Sequence, residues 1–260
     1  VVAATLIGTL QTAYTNFHYL RDVWRRTTEK DALLGVGMTG IGSGKVQRLD
    51  LEAASQLAVE TNKYYAKEIG VNAAARITTV KPSGTTSCVL GTASGVHAWH
   101  NDYYIRRIRV GKNEAIYTYL TIRHPELVED DFFKPESQAV ISIPQRAPAD
   151  GILRHETSIE LLERVRDIYN RWIVPGHIQG NNTHNVSCTV SVREEEWEKV
   201  GKWMWENREY YNGISVLPYF GGSYKQAPFE DIDKETFEGM IVNLKEVDLS
   251  NVVEIVDNTN

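Results

Sequence analysis

Lys81-Pro82-Ser83-Gly84-Thr85-Thr86-Ser87 is the stretch on which the reading of this chain turns. It follows Ala75-Arg76-Ile77-Thr78-Thr79-Val80, an apolar run with the composition of a buried strand. Proline ends a strand because it brings no N–H to the ladder. Glycine lets a ligand come close to the backbone. The hydroxyl residues then fall where a helix would open, and the N–H groups of a helix start face anions well. Two readings fit these seven residues. One is a capped strand-to-helix turn; the other is a loop that grips a phosphate.

Outward from this loop, apolar strand candidates alternate with helical patterns, which predicts an α/β fold with parallel strands and βαβ crossovers. The strand candidates are residues 33–38, 77–80, 104–110, 139–143, 186–192 and 214–217, the last of them expected to be buried. A helix is expected over Leu51–Ile69, with Asp50 as cap and Gly70 as stop. A second is expected over residues 157–172, opened by a Thr157/Glu160 capping box, with Leu161, Val165, Ile168 and Trp172 on one face. Ser191 and Glu194 are expected to cap a third, whose inner face carries Trp197, Val200 and Met204. A last helix is expected over residues 233–242, in a stretch that turns more polar after Pro228. The loops around residues 147–151 and 181–183 lack the composition of domain linkers.

The chain has 260 residues, 42% hydrophobic and 24% charged, with a net charge of −6. That is length enough for a large core. The mild acidity argues against a nucleic-acid surface, and the local cluster Arg106, Arg107, Arg109 and Lys112 reads as a solvated face. No segment has the length and apolarity of a membrane span. The opening residues lack the basic leader and cleavage site of a signal peptide. They read instead as an amphipathic helix, with Val2, Leu6, Leu10 and Ala13 on one face, begun inside a larger polypeptide. Two cysteines make no disulfide scaffold; the expectation is reduced thiols in the cytoplasm.

Several motifs mislead. Gly35-Val36-Gly37-Met38-Thr39-Gly40 matches G-x-G-x-x-G, but the helix that a dinucleotide fingerprint needs at its third glycine waits until Asp50. Residues 39–45 approach a P-loop, yet Thr39 replaces the first glycine and Val46 stands where a Ser or Thr would bind magnesium. Cys88, His97 and His100 fit no common zinc spacing. They read as a buried thiol and two loop histidines, with His97 in a packing or pocket-wall role. The aromatic residues between Trp197 and Tyr211 are spaced for core packing rather than base stacking.

Further motifs follow the loop in a fixed order. They are Gly91-Thr92-Ala93-Ser94-Gly95-Val96-His97, then residues 103–109, Val186-Ser187-Cys188-Thr189-Val190, residues 214–223, and Gln226-Ala227-Pro228. As a series, from about Leu33 onward, they resemble the C-terminal half of the adenosylcobalamin-dependent (class II) ribonucleotide reductases, closest to the monomeric type that reduces ribonucleoside triphosphates. The resemblance implies the C-terminal half of a ten-stranded α/β barrel of the ribonucleotide reductase and glycyl radical type. Residues 1–260 would be the C-terminal part of one catalytic barrel domain, truncated at both ends, with 229–260 a polar extension toward a missing cysteine tail.

The resemblance also implies thiyl-radical reduction of ribonucleoside triphosphates to 2′-deoxyribonucleoside triphosphates, with adenosylcobalamin as cofactor and a thioredoxin-type reductant. Pro82, Ser83, Gly84, Thr85 and Thr86 match the family's substrate-phosphate motif. The family's cycle uses five cysteines, and neither Cys88 nor Cys188 matches a catalytic position, so no catalytic residue and no metal ligand is assigned here. Inactivity without the N-terminal portion of the barrel is expected. Class I and class III reductases remain alternatives. Ile214-Ser215-Val216-Leu217-Pro218 lacks the paired tyrosines through which class I enzymes relay a radical. A non-catalytic nucleotide-binding module would need only the loop.

Overall fold

In the computed structural model, which describes residues 1–220 and 224–252, the run before the loop is buried as its composition predicts: Ile77 and Val80 expose nothing to solvent. In chain order the elements are α1 (Val2–Gln11), α2 (Asp22–Asp31), α3 (Leu51–Ile69), α4 (Gly84–Val89), β1 (Tyr103–Gly111), α5 (Ala115–Arg123), β2 (Val128–Asp130), β3 (Gln138–Arg146), α6 (Ser158–Ile168), β4 (Thr189–Val192), α7 (Trp197–Glu206), β5 (Ser215–Pro218), β6 (Phe229–Asp231) and α8 (Lys234–Val242). The fold is α/β. It divides into two compact units, Val1–Trp99 with Asp150–Phe220, and His100–Ala149 with Gly221–Asn260. One boundary falls inside the 147–151 loop that carries no linker composition.

The first unit holds the parallel strands. Residues 34–36 lie beside 76–79 through single parallel bridges and bonds such as Thr79 N–H to Val36 O (3.0 Å). Val80 bridges Val186 in parallel, and β4 pairs with β5 in parallel from Thr189↔Ser215 to Val192↔Pro218. The expected strands at 33–38 and 77–80 are thus bridges rather than continuous ladders. Helices α3, α6 and α7 pack on this layer around Ile77, Leu162, Ile168 and Val190. Each such fully buried aliphatic side chain contributes about 1.5–3 kcal/mol. β5 is the exception to the expected burial: Leu217 is 54% exposed.

Capping explains two of the helix starts. Asp50 accepts from Ala53 N–H at the head of α3, and Gly70 ends it in the left-handed conformation. Thr157 and Glu160 form the expected reciprocal box on α6. After Ile168 the helix widens into a π turn, Tyr169–Ile173. The Trp172 carbonyl in this turn accepts from Ser55 Oγ (2.9 Å) and Thr78 Oγ1 (2.5 Å), while Trp172 Nε1 donates to the Thr79 carbonyl (3.1 Å). Gly176 passes so close to Thr78 that a Cβ there would strike its side chain. These bonds fasten the strand under the loop to the helical layer.

Two helix expectations fail. α7 is preceded by a 3-10 turn, Glu194–Glu196, in which Glu196, not Glu194, accepts from Arg193 N–H (3.1 Å). Glu196 is drawn inward because it also accepts from Ser158 N–H and Oγ (3.0 and 2.9 Å). The phase of α7 shifts with it: Val200 and Trp203 are buried, while Trp197 and Trp205 are exposed. In α1 the buried residues are Thr5 and Thr9, and Val2, Ile7 and Leu10 face outward. Each threonine hydroxyl donates to a carbonyl one turn back, and Thr9 Oγ1 accepts from Asn62 Nδ2 (3.0 Å). Satisfied hydroxyls can be buried at little cost.

The second unit corrects the all-parallel expectation. β1 pairs antiparallel with β3 along its whole length, Tyr103↔Arg146 to Gly111↔Gln138, in a sheet of order β2-β3-β1-β6. α5 and its neighbours cover this sheet around Val110, Leu120 and Ile141. The basic cluster is paired rather than merely solvated. Arg107 meets Glu230 (2.6 Å), Arg109 meets Asp131 (2.7 Å), Lys112 meets Asp130 (2.5 Å), and Arg106 lies over the Phe229 ring. α8 opens with Asp233 accepting from Thr236 N–H, where the sequence places a helix. Gly221-Gly222-Ser223 and residues 253–260 lie outside the described residues.

Candidate functional site

Strand 76–80 ends at Pro82, and α4 opens two residues later. Ser83, the residue before α4, holds a left-handed conformation (φ 53°, ψ 38°). A non-glycine residue in that region stores strain of order 1–3 kcal/mol. Its hydroxyl turns back to the Lys81 carbonyl (3.3 Å), so no side chain caps the first turn of α4. The capped-turn reading therefore lacks its cap. The opening N–H groups of a helix have no intrahelical partners. Pro82, Gly84, Thr85 and Thr86 are exposed and Ser83 half-buried. The five residues singled out from the sequence thus form one turn at the end of a buried segment, in which Gly84, Thr85 and Thr86 present their donors outward and Pro82 supplies none. A Cβ on Gly84 would meet nothing within 4 Å, so the space in front of it is open.

The second motif, residues 91–97, holds the first in place. Ser94 Oγ donates to the Pro82 carbonyl. Gly95 (φ +57°) runs so near that a Cβ would collide with the Lys81 carbonyl, which is why a glycine stands there. Thr92 N–H donates to Ser87 O (2.9 Å) and closes the back of α4. On its other side this motif receives the glycine-rich loop that mimics a nucleotide fingerprint. Thr39 Oγ1 donates to Ala93 O (3.0 Å) and accepts from Gly95 N–H (2.9 Å). Gly42 leaves room for the His97 carbonyl. No helix opens at Gly40; a 3-10 turn, Ile41–Ser43, follows instead. These glycines serve packing.

His97 lies in a wall of a cavity of about 190 Å³, facing Arg154, Glu156, Ser158, Thr189 and Ser191 among others. β4 contributes Thr189 and Ser191 because its alternation sends Val190 and Val192 into the core. Behind the wall, the buried Arg164 donates from Nε to the Val96 carbonyl (3.0 Å) and binds Glu156 through two bonds of 2.6 Å. Near the strand, His184 is pushed below the usual imidazole range by its burial and by the charges of Arg76, Lys81 and His177, against the opposing pull of its bond to Thr78 O.

The thiols are placed differently from each other. Cys88 is not buried as expected: it lies exposed on α4, with Sγ donating to the Gly84 carbonyl (2.8 Å). Its helix is short and projects from the strand end, so the side chain finds no core. Cys188 is buried, and burial pushes its thiol up to about 11. Among the described residues, no three His, Cys, Asp or Glu side chains gather as a metal site, and no helix is long and apolar enough to cross a membrane. Chemically, the arrangement can bind an anion. The first motif was legible in the sequence; the role of Arg164 was not, because an arginine on an amphipathic helix reads as surface.

No family model matches the chain. It is 26% identical over 268 residues to the adenosylcobalamin-dependent ribonucleoside-triphosphate reductase of Lactobacillus acidophilus, covering 91% of this chain and 35% of that protein. It is 30% identical over 181 residues to the enzyme of the same description from Lactobacillus leichmannii, covering 69% of this chain and 24% of that one. A crystal structure of a B12-dependent (class II) ribonucleotide reductase superposes with a TM-score of 0.74 at 23% identity, over 91% of this chain and 37% of that chain. The chain thus spans about a third of the length of the first two curated relatives it matches.

Proposed function

This chain is a relative of the adenosylcobalamin-dependent ribonucleoside-triphosphate reductases, and we propose that it forms the C-terminal half of the ten-stranded catalytic barrel of such an enzyme, supplying the loop that holds the substrate's phosphates. The observation that carries this reading is the turn at Pro82–Thr86: the donors of Gly84, Thr85 and Thr86 are exposed at the end of a buried segment, with an open face and no side-chain cap. Ligands of α/β sheets gather at the carboxyl ends of the strands. Phosphate oxygens there would accept from the first-turn N–H groups and the Thr85 and Thr86 hydroxyls, and fixing the phosphates orients the ribose.

By the same reading the complete enzyme is a cytoplasmic one that reduces ribonucleoside triphosphates, draws electrons from a thioredoxin-type partner, and needs the N-terminal barrel half for turnover. Its cofactor would be adenosylcobalamin, which supplies the initiating radical when bound. The described residues do not fit that group by themselves: the cavity of about 190 Å³ lined by His97 and β4 is smaller than a corrin with its side chains. No residue is assigned to it.

The test is binding of a ribonucleoside triphosphate to this chain, measured by calorimetry. Thr85→Ala should weaken binding by about 1–3 kcal/mol, or roughly 5- to 150-fold. Ser83→Ala tests the strained residue that aims the turn. Gly84→Val should fold normally, since nothing opposes its Cβ, yet should bar the phosphates. Unchanged affinity in all three variants would leave the loop a turn without a ligand.

A further inference from the structure

We propose that His97 is a positioning residue that fixes the Pro82–Thr86 loop relative to β4, and that it does so only as the neutral Nδ1–H tautomer. The inference rests on the phosphate reading for its functional meaning, but its geometry stands alone. His97 Nε2 lies 3.1 Å from the Thr189 backbone nitrogen, and Nδ1 lies 3.0 Å from the Ser94 carbonyl oxygen. An amide N–H can only donate and a carbonyl can only accept. Nε2 must therefore carry the lone pair and Nδ1 the proton. Ser94 is the residue whose hydroxyl donates to the Pro82 carbonyl, and the next residue, Gly95, packs against Lys81. One imidazole thus joins β4, through Ser94, to the head of the phosphate turn.

A second proton on the ring would set Nε2–H against Thr189 N–H and break the join. The cavity that His97 lines is also lined by Arg154, Glu156, Arg193 and Tyr219. Arg164 lies behind, on the carbonyl of Val96. Glu156 is engaged by Arg164, and Glu196 lies 3.6 Å from Arg193. Lys81 flanks the turn, and the 39–43 loop packed on this motif brings no charge. Cys188, next to Thr189, points into the core.

The experiment follows amide hydrogen exchange by NMR in the whole chain at pH 8 and pH 5, an interval over which imidazoles change charge. Long-range ¹H–¹⁵N correlations should show the Nδ1–H tautomer at pH 8. Protection factors of the Thr189 and Gly95 amides should fall at least tenfold at pH 5, while those of Val80 and Ser187, bonded within the strand layer, hold. In His97→Gln, whose amide oxygen can accept from Thr189, protection at the two sites should be independent of pH. An Nε2–H tautomer, pH-independent protection in the wild type, or an equal loss in His97→Gln would overturn the inference. Tripolyphosphate titrated into both proteins is the separate arm. Failure to bind at pH 8 counts against the phosphate reading alone, and tighter wild-type binding at pH 5 than in His97→Gln would mean that His97 is an anion ligand and overturn its positioning role.

Discussion

Glu156→Gln should destabilise the first unit far more than its partly exposed position implies. The Arg164 and Glu156 side chains are 5% and 12% exposed, and they meet through two bonds of 2.6 Å. Glutamine keeps the shape but not the charge, so it leaves a guanidinium buried against a neutral amide. Breaking one partner of a buried pair costs about 3–5 kcal/mol. With a urea dependence of about 2–3 kcal/mol per molar, the unfolding midpoint should fall by roughly 1–2.5 M. Tryptophan fluorescence is the right probe, because all six tryptophans lie in the first unit. Adding Arg164→Met removes the stranded charge, so the double variant should be more stable than Glu156→Gln alone. A midpoint shift under about 0.3 M, or a double variant less stable than the single one, would show that the pair is not desolvated as argued.

Thiol labelling at pH 8 should modify one cysteine in the folded chain, Cys88, and two after unfolding. Bound nucleotide should slow the reaction at Cys88 if the phosphates sit at the head of its helix. Burial raises Cys188 to about 11 from an ordinary thiol value of 9.0. Above about pH 9 the unfolded chain releases this proton first, so stability should decline between about pH 9 and 11, by about 2–3 kcal/mol at most. Cys188→Ala should remove that slope in urea midpoints measured across the window. Glu196 shows the opposite sign. Burial pushes its carboxyl up, but bonds from Arg193 N–H and from Ser158, with the Arg193 charge, outweigh it and hold it below the usual 4.5. Its contribution is present above pH 4.5 and is lost as pH falls through the lowered value, so Glu196→Gln should flatten the acid limb of the stability profile.

Much of the local structure was readable residue by residue. Asp50 and Gly70 bound α3, Thr157 and Glu160 open α6, and Asp233 opens α8, because caps act within a few residues of their own backbone. The run 75–80 was legible as a buried segment, and all of its residues but Arg76 are buried, although it pairs through single bridges rather than a continuous ladder. Strand direction was not legible. β1 and β3 carry β-type sequences, but their antiparallel pairing depends on which partner each finds. The phase of α7 was set by Glu196 reaching Ser158, 38 residues away in sequence. The burial of Thr9 in α1 draws on a bond from Asn62, which no pattern of apolar residues announces.

The proposed phosphate turn divides in the same way. The residue types at Pro82–Thr86, and their order relative to the 91–97 motif, were determined by the sequence alone, because a strand stop, a close backbone approach and a row of hydroxyls are properties of single residues. What holds the turn open was decided by tertiary structure. Ser83 is kept in a strained conformation, Ser94 and Gly95 brace the Lys81–Pro82 backbone, and His97 ties that brace to Thr189. These contacts join segments 12 to 92 residues apart, and a hydrogen bond between distant segments has no signature until folding brings donor and acceptor within about 3 Å.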